Sequence, residues 1–353
     1  MRIEQLTFTR FIAAISIVVF HFGKYSYLFN NEYTSFIFRQ ANLGVSYFFI
    51  LSGFVMIVAY GNRENVNFIE YIKNRLARIY PVYFLAIFLM LSFSFFKNIN
   101  FSDLFFNLIM VQAWIPNKAL TINSPGWSLS VEMFFYICFP FLINRIYNQL
   151  SLKINLLWIV IFWLISQIIF HLIVYEILQL STYVTSDIYY NPLLHFNQFL
   201  IGNLLGLFFI KKFKSHKKNY LIHIVIILTA LILLLRFPIG FVFHNGLLAI
   251  IFIPIIFFIS LTNDRFTIFF SKKPFVFLGE ISFGIYILQV PIWFIFSDNR
   301  MEKYFGLNKE LDFTSSFLIR LFILVIISAL SYLYFEKPIR NKIKGRVGKT
   351  LIN

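Results

Sequence analysis

Residues 154–175 read INLLWIVIFWLISQIIFHLIVY, and none of them is Asp, Glu, Lys or Arg. A helix of about 20 residues crosses the hydrocarbon core of a bilayer, so an uncharged apolar run of this length predicts a membrane span. Similar runs occur along the whole chain, at 7–23, 43–60, 81–96, 127–143, 192–210, 219–235, 246–261, 276–296 and 317–335. The sequence therefore predicts an all-α, polytopic transmembrane helical bundle of about ten spans.

The composition also indicates a membrane protein. Hydrophobic residues make up 59% of the chain and charged residues 13%, whereas about a quarter of an ordinary soluble domain is charged. The formal charge of +16 does not indicate nucleic-acid binding, because the basic residues lie in short loops that set topology. We expect one membrane-embedded domain over residues 1–353, no appended soluble domain, the lipid bilayer as a partner and no nucleic acid.

The distribution of positive charge predicts which side of the membrane each loop occupies. If the N-terminus is cytoplasmic and ten helices cross, the cytoplasmic segments hold 21 Lys and Arg residues and the outer segments hold 8. Because cytoplasmic loops carry the excess of Lys and Arg, both termini are predicted to be cytoplasmic. The segment 101–114, FSDLFFNLIMVQAW, has Asp103 and Asn107 on one face and is predicted to lie in the interface rather than to cross.

The first apolar run contains two ionisable residues, in RFIAAISIVVFH at 10–21. Ionisable groups inside a span are costly and are candidates for function. At about 100° per residue, Arg10 and His21 lie on one helix face, about 16 Å apart along the axis. They would line a channel, with the cation near the cytoplasmic end and the imidazole near the outer end. The alternative is a snorkelling arginine and a histidine packed at a helix end.

Two arginines precede the third apolar run, in NRLARIYPVYF at 74–84. Arg75 and Arg78 are i, i+3 neighbours on a short helix that enters the third span, and Pro81 is expected to begin that span. Two arginines on one face at the cytoplasmic boundary could hold a phosphate-rich ligand through bidentate hydrogen bonds. Alternatively, they only mark the cytoplasmic end of a span.

A carboxylate lies about one and a half turns into the fourth span, in SPGWSLSVEMFFYICFPFL at 124–142. At that depth Glu132 needs a partner, and His21 is at the same level in the predicted topology. A carboxylate can fix the tautomer of an imidazole and raise its basicity, as a general base requires. We therefore expect a Glu132–His21 dyad, and the alternative is that Ser128 or Tyr136 satisfies the carboxylate.

These segments together resemble the acyltransferase-3 family of bacterial membrane O-acyltransferases, over essentially the whole chain. Any one motif is weak, but six motifs in the family's order on a ten-span chain are specific. They are Arg10 and His21 with ten residues between them, FFILSGFV at 48–55, Arg75-x-x-Arg78 followed by Tyr80-Pro81, Trp127-Ser128 with Glu132, LGEISFGIYIL at 278–288, and FEKPI at 335–339. One position departs from the pattern: this chain has Gln289 where family members often carry His, and we interpret Gln289 as structural.

The resemblance implies acyl transfer to a sugar hydroxyl of an envelope glycan, such as a lipid-linked or surface polysaccharide, in the bacterial cytoplasmic (inner) membrane. The donor would be cytoplasmic acyl-CoA, most often acetyl-CoA, acting as a co-substrate and not as a permanently bound cofactor. Arg75 and Arg78 would hold its phosphates, and the pantetheine arm would pass Arg10. His21, oriented by Glu132, would deprotonate the acceptor hydroxyl or carry the acyl group itself. Candidate substrate contacts are Trp127, Ser128, Ser282 and Tyr286, and we expect no metal.

Two other functions are compatible with a bundle of this kind. A non-enzymatic polysaccharide flippase or transporter would also have about ten spans and intramembrane charges, but it would more often show inverted repeats and broken helices. Neither feature is found in the sequence. An unrelated acyltransferase that uses a His and an Asn is a weaker alternative, because no such pair stands out.

Overall fold

The computed structural model describes residues 3–93, 100–178, 187–213, 216, 218–308 and 311–350, with side chains described as far as residue 343. Over these ranges the chain is helical, and its single β-bridge joins Lys218 and Thr262. The prediction of an all-α, polytopic membrane bundle is therefore confirmed. In chain order the α-helices are α1 Glu4–Val18, α2 Ser35–Phe38, α3 Gly44–Tyr60, α4 Phe68–Phe93, α5 Phe101–Leu108, α6 Trp127–Phe141, α7 Leu152–Val174, α8 Pro192–Phe208, α9 Leu221–Arg236, α10 Ala249–Leu261, α11 Arg265–Phe269, α12 Lys273–Ile295, α13 Asp298–Phe305, α14 Phe313–Ser331 and α15 Lys337–Thr350.

The predicted spans correspond to helices of different lengths. In the described ranges, eight helical segments are long and apolar enough to cross a membrane. Helices α9 and α10 are apolar but shorter, with 16 and 13 residues. At about 1.5 Å per residue, α10 covers about 20 Å, less than the roughly 30 Å of a hydrocarbon core. Ten spans and two cytoplasmic termini thus stay predictions. Helix α5, in the segment predicted to be interfacial, has 8 residues and is too short to cross.

Pro81 does not begin a helix, contrary to the sequence prediction. It lies inside α4, which starts thirteen residues earlier at Phe68 and runs through both Arg75 and Arg78. Proline removes one backbone donor, and membrane helices tolerate that loss where neighbouring groups compensate. The two arginines therefore project from a long helix that enters the bundle, and not from a separate short one.

Close helix crossings hold the bundle together. A Cβ atom added to Gly53 of α3 would clash with the carbonyl oxygen of Phe199, and one added to Gly202 of α8 would clash with the carbonyl of Ile50. The same is true of Gly279 of α12, which lies against the carbonyl oxygen of Thr7 in α1. Small residues let membrane helices approach closely and pack by van der Waals contact. Two of these glycines, Gly53 and Gly279, belong to the family-like motifs.

Several long helices end in a π-helical turn. These turns are Val19–Gly23 after α1, Leu142–Tyr147 after α6, Phe209–Phe213 after α8 and Tyr332–Glu336 after α14. A π turn has more residues per turn than an α-helix and changes the direction of the side chains, and such turns are frequent at functional sites. The first carries His21 and the last carries Glu336, so two of the motif residues lie where the helix geometry changes.

Candidate active site

A cavity in the centre of the bundle brings together five of the residues that the sequence singled out. It has a volume of about 70 Å³ and lies between α1, α3, α4, α6 and α12. Its polar lining includes Arg10, Arg78, Ser128, Glu132, Tyr136 and Tyr286. The remaining wall is largely apolar and comes mostly from the FFILSGFV helix α3. Residues that are far apart in the chain thus form one polar site in an apolar surrounding.

Glu132 is held by the residue one turn further along α6. The hydroxyl of Tyr136 donates a hydrogen bond of 2.9 Å to Oε2 of Glu132. Tyr136 is itself buried, with 4% of its surface exposed. The guanidinium groups of Arg10, Arg78 and Arg75 all act electrostatically on Glu132. The carboxylate therefore offsets part of a strong positive charge that would otherwise be costly inside a membrane.

A second, larger cavity adjoins the first. It has a volume of about 390 Å³, shares Arg10 and Arg78 with the central cavity, and is also lined by Arg75, Glu280, Glu336 and Arg340. The lining comes from α1, α3, α4, α12, the π turn at 332–336 and α15, which places this cavity next to the first and last helices of the chain. Four arginines around one cavity, with two carboxylates, favour an anionic ligand.

The two arginines of the Arg-x-x-Arg motif have different surroundings. Arg75 donates a hydrogen bond of 2.9 Å from Nη2 to the Tyr60 hydroxyl, and its guanidinium lies 5.3 Å from the Tyr60 ring centroid and 5.2 Å from that of Tyr71. Arg78 lines both cavities. Cation–π contacts and the hydrogen bond hold Arg75 in the wall of the larger cavity, whereas Arg78 borders both cavities.

His21 lies apart from both cavities. His21 as a residue is exposed, and its Nδ1 is 2.8 Å from Oε1 of Gln289, which is fully buried. The direct hydrogen bond expected between His21 and Glu132 is not formed among the described residues. One physical reason is the π turn Val19–Gly23. Arg10 and His21 were predicted to share a helix face from the 100° per residue of a regular α-helix, and a π turn has a different rotation per residue.

The four candidate substrate contacts divide into two pairs. Ser128 and Tyr286 line the central cavity, and their hydroxyls both donate to the carbonyl oxygen of Pro125, over 3.0 and 3.2 Å. Trp127 and Ser282 are not among the residues that line either cavity. Trp127 packs against the rings of Phe49, Tyr190 and His195, and Ser282 donates to the Gly279 carbonyl of its own helix, over 2.7 Å.

Sequence reasoning missed two residues of the larger cavity and one contact of His21. Arg340 follows the FEKPI motif and was counted only as a topological charge, although it lines the larger cavity. Glu280 lies in a family-like motif and accepts a 2.8 Å hydrogen bond from the Tyr332 hydroxyl at that cavity. Gln289, which was interpreted as structural, is the hydrogen-bond partner of His21. Within the described ranges, no group of three or more His, Cys, Asp or Glu side chains could hold a metal ion.

The fold and these cavities define a class: a multi-pass helical membrane protein with a buried site of arginines and a carboxylate. A family model described as an acyltransferase domain matches residues 3–336. The chain belongs to this acyltransferase-3 family, as the motifs in its sequence predicted.

Curated relatives cover different parts of the chain. An O-acetyltransferase named OatA from Staphylococcus aureus is 24% identical over 94% of this chain and 56% of its own length. The acyltransferase MdmB of Streptomyces mycarofaciens is 30% identical over 40% of this chain and 39% of its own length. The exopolysaccharide production protein ExoZ of Rhizobium meliloti is 35% identical over 27% of this chain and 32% of its own length. The chain therefore spans about half or less of the length of these relatives, and no solved structure matches it significantly.

Proposed function

We propose that this protein is a membrane O-acyltransferase that moves an acyl group, most simply acetyl, from cytoplasmic acyl-CoA to a sugar hydroxyl of a cell-envelope or surface polysaccharide. The membrane would be the bacterial cytoplasmic membrane. The single observation that carries the proposal is the pair of adjoining arginine-lined cavities that share Arg10 and Arg78. A cationic entrance that leads to a narrow, largely apolar centre suits a donor with phosphates at one end and an acyl thioester at the other.

The larger cavity is the proposed site of the donor phosphates. Arg78 and Arg340 line it from different helices, and Arg10 lies where it joins the central cavity. Guanidinium groups bind phosphate oxygens through paired hydrogen bonds. Arg75 contributes charge from the wall, where Tyr60 holds it. The central cavity, with about 70 Å³, would take the narrow acyl–pantetheine end.

His21 is the proposed proton acceptor for the acceptor hydroxyl. In this reaction the sugar oxygen attacks the thioester carbonyl carbon, the C–S bond breaks, and the hydroxyl proton passes through His21 to the departing thiolate. One turn of α12 separates His21 from the cavity: Tyr286 lines the cavity, and Gln289 donates from Nε2 to the Tyr286 carbonyl and contacts His21 through Oε1. Donor and acceptor would meet at this turn, so positioning and proton removal supply the rate enhancement.

The names of two relatives support this proposal. OatA is named as an O-acetyltransferase, which supports an acetyl group and an oxygen acceptor. ExoZ is named for exopolysaccharide production, which supports a polysaccharide acceptor. We found no observation that favours a flippase.

The experiment combines transfer in vitro with glycan analysis in cells. The protein in lipid vesicles would be given acetyl-CoA labelled in its acyl group together with envelope glycan, and label on the glycan would be measured. Mass spectrometry of the surface glycan with and without the gene should show a difference of one acyl group per modified sugar. Movement of glycan across the vesicle membrane without transfer of label would contradict the proposal and favour a flippase.

A further inference from the structure

We propose that Gln289 is a positioning residue that holds His21 in one tautomer, with the hydrogen on Nδ1 and with Nε2 free to accept a proton. This inference rests on the proposed function, because it concerns His21 as the base. Gln289 does not touch the reacting atoms, and its effect on transfer would pass through the imidazole.

The orientation of the Gln289 amide follows from its second hydrogen bond. Its Nε2 lies 2.6 Å from the carbonyl oxygen of Tyr286, which can only accept. The NH₂ group of the amide must therefore face that carbonyl, and Oε1 must face His21. The opposite orientation would place two acceptor oxygens against each other in a buried site, which is costly.

The tautomer of His21 follows in turn. Oε1 of Gln289 is an acceptor, and it lies 2.8 Å from Nδ1 of His21. A neutral imidazole carries its hydrogen on one ring nitrogen only, so the hydrogen bond to Oε1 requires the hydrogen on Nδ1. The other nitrogen, Nε2, makes no hydrogen bond within the described part of the chain, and His21 as a residue is exposed. This is the arrangement that a general base needs: one nitrogen oriented by the protein and one available to substrate.

The turn that carries Gln289 is fixed from a neighbouring loop. Pro291 has no backbone N–H, so the carbonyl oxygen of Ile287 loses its normal helical donor. Asn123 supplies a replacement, because its Nδ2 donates to that carbonyl over 3.0 Å. The Tyr286 hydroxyl donates to Pro125 of the same loop. Gln289 is fully buried beneath these contacts, so its amide has little freedom to turn away from His21.

A glutamine differs from a carboxylate in what it does to the ring. Both accept from Nδ1–H, but a carboxylate would also stabilise the imidazolium by its charge. The charged group that acts on His21 here is the cation of Lys24, on the segment that follows the π turn, and the neutral amide adds no opposing charge. His21 is thus oriented by a neutral group.

The test uses two substitutions at residue 289 in the full-length protein in lipid vesicles. Gln289→Leu removes the acceptor, and we expect kcat to fall about tenfold, the effect of one lost hydrogen bond, with KM for acetyl-CoA unchanged. Gln289→Glu keeps an acceptor for Nδ1, adds a charge that stabilises the imidazolium, and replaces the donor to the Tyr286 carbonyl by a second oxygen. We therefore expect the acidic limb of the kcat/KM profile to move to higher pH by about one unit.

Nitrogen-15 NMR of labelled histidine gives a direct measurement of the tautomer. The wild-type protein should show His21 with hydrogen on Nδ1, and Gln289→Leu should show a mixture. Gln198 beside His195 is the matched control, and Gln198→Leu should move neither the His21 signal nor the pH limb.

The outcomes separate this inference from the proposed function. If His21→Ala is inactive while both Gln289 variants fold and keep wild-type kinetics and tautomer, the positioning role is wrong and the proposed function stands. If His21→Ala transfers acyl groups at the wild-type rate, the role of His21 as the base is wrong, whatever the Gln289 variants do. A merely structural role for Gln289 would lower thermal stability in both variants and leave the pH limb in place.

Discussion

His21 and His195 each lie beside a glutamine, yet the two histidines have opposite hydrogen-bond arrangements. His21 points Nδ1 at the amide oxygen of Gln289 and exposes the rest of its ring. His195 is 1% exposed, its Nε2 lies 2.8 Å from the Tyr189 carbonyl oxygen, and its Nδ1 lies 2.9 Å from Nε2 of Gln198. In His195 both nitrogens are occupied by protein, whereas His21 keeps one available.

The difference would separate a histidine that exchanges protons with a substrate from one that only packs. The Tyr189 carbonyl also accepts from Nε2 of His244, over 2.9 Å, and burial lowers the pKa of His244 despite that contact. A buried ring with both nitrogens satisfied has no route for proton exchange with a substrate. An exposed ring with one nitrogen oriented by the protein has such a route. The following predictions test this contrast, from the largest effect to the smallest.

Substitution of His21 should have the largest effect. His21→Ala removes the proposed base, and general-base catalysis contributes roughly 10²- to 10⁴-fold. We expect kcat to fall at least about a hundredfold while acetyl-CoA affinity stays nearly unchanged, because the base acts on the acceptor. Transfer kinetics and calorimetric titration with CoA measure the two quantities. A large loss of CoA affinity would place His21 at the donor site instead.

The two arginines of α4 should differ from each other. Arg78→Ala removes a ligand-facing guanidinium, and a hydrogen bond to a charged group contributes roughly 1.5–3 kcal/mol, so CoA should bind at least about tenfold more weakly. Arg75→Ala should also weaken binding, but less, and should lower the melting temperature because Tyr60 and Tyr71 lose their partner. The exposed Lys73 on the same helix is the control. If the Arg78, Arg75 and Lys73 variants all bound CoA with equal affinity, the two arginines would have no role in donor binding and would only mark the cytoplasmic end of the span.

Glu132→Gln should be milder than His21→Ala. The new amide oxygen can still accept from the Tyr136 hydroxyl, but the arginines around it lose their negative counterpart. We expect kcat to fall about tenfold, or roughly 1.4 kcal/mol in the activation barrier. Steady-state kinetics with Tyr136→Phe measured in parallel would show whether the hydrogen bond or the charge matters. A Glu132→Gln variant as inactive as His21→Ala would give the carboxylate a direct part in the proton transfer.

Substitution of His195 should affect stability and not chemistry. His195→Gln leaves at least one buried partner without its hydrogen bond, which costs about 1–3 kcal/mol. The melting temperature should fall, while kcat of the folded fraction should stay within about twofold of wild type. If kcat fell as far as in His21→Ala, the contrast between the two histidines would be refuted.

Much of the candidate site was predictable because it depends on local rules. Arg10 and Glu132 were identified because charges inside apolar runs are costly, and Arg78 because it lies one turn from Arg75 at the start of a span. The structure places all three around one cavity. The i, i+4 spacing of Glu132 and Tyr136 also made Tyr136 a predicted alternative to His21 as the partner of Glu132. In contrast, the expected pairing of Glu132 with His21 joined two different helices, and no spacing along the chain determines how one helix is rotated against another.

An all-α membrane bundle of the acyltransferase-3 family was predictable from the amino-acid sequence, because apolar length and ordered motifs are properties of the chain alone. The partner of each polar group, in contrast, depends on how the helices pack. The π turn at Val19–Gly23 rotates His21 out of the register of a regular helix, and Pro291 frees a carbonyl that ties α12 to the loop at Asn123. The Gln289 amide beside His21 and the Tyr60 hydroxyl beside Arg75 belong to other helices, so these contacts arise only when the helices pack.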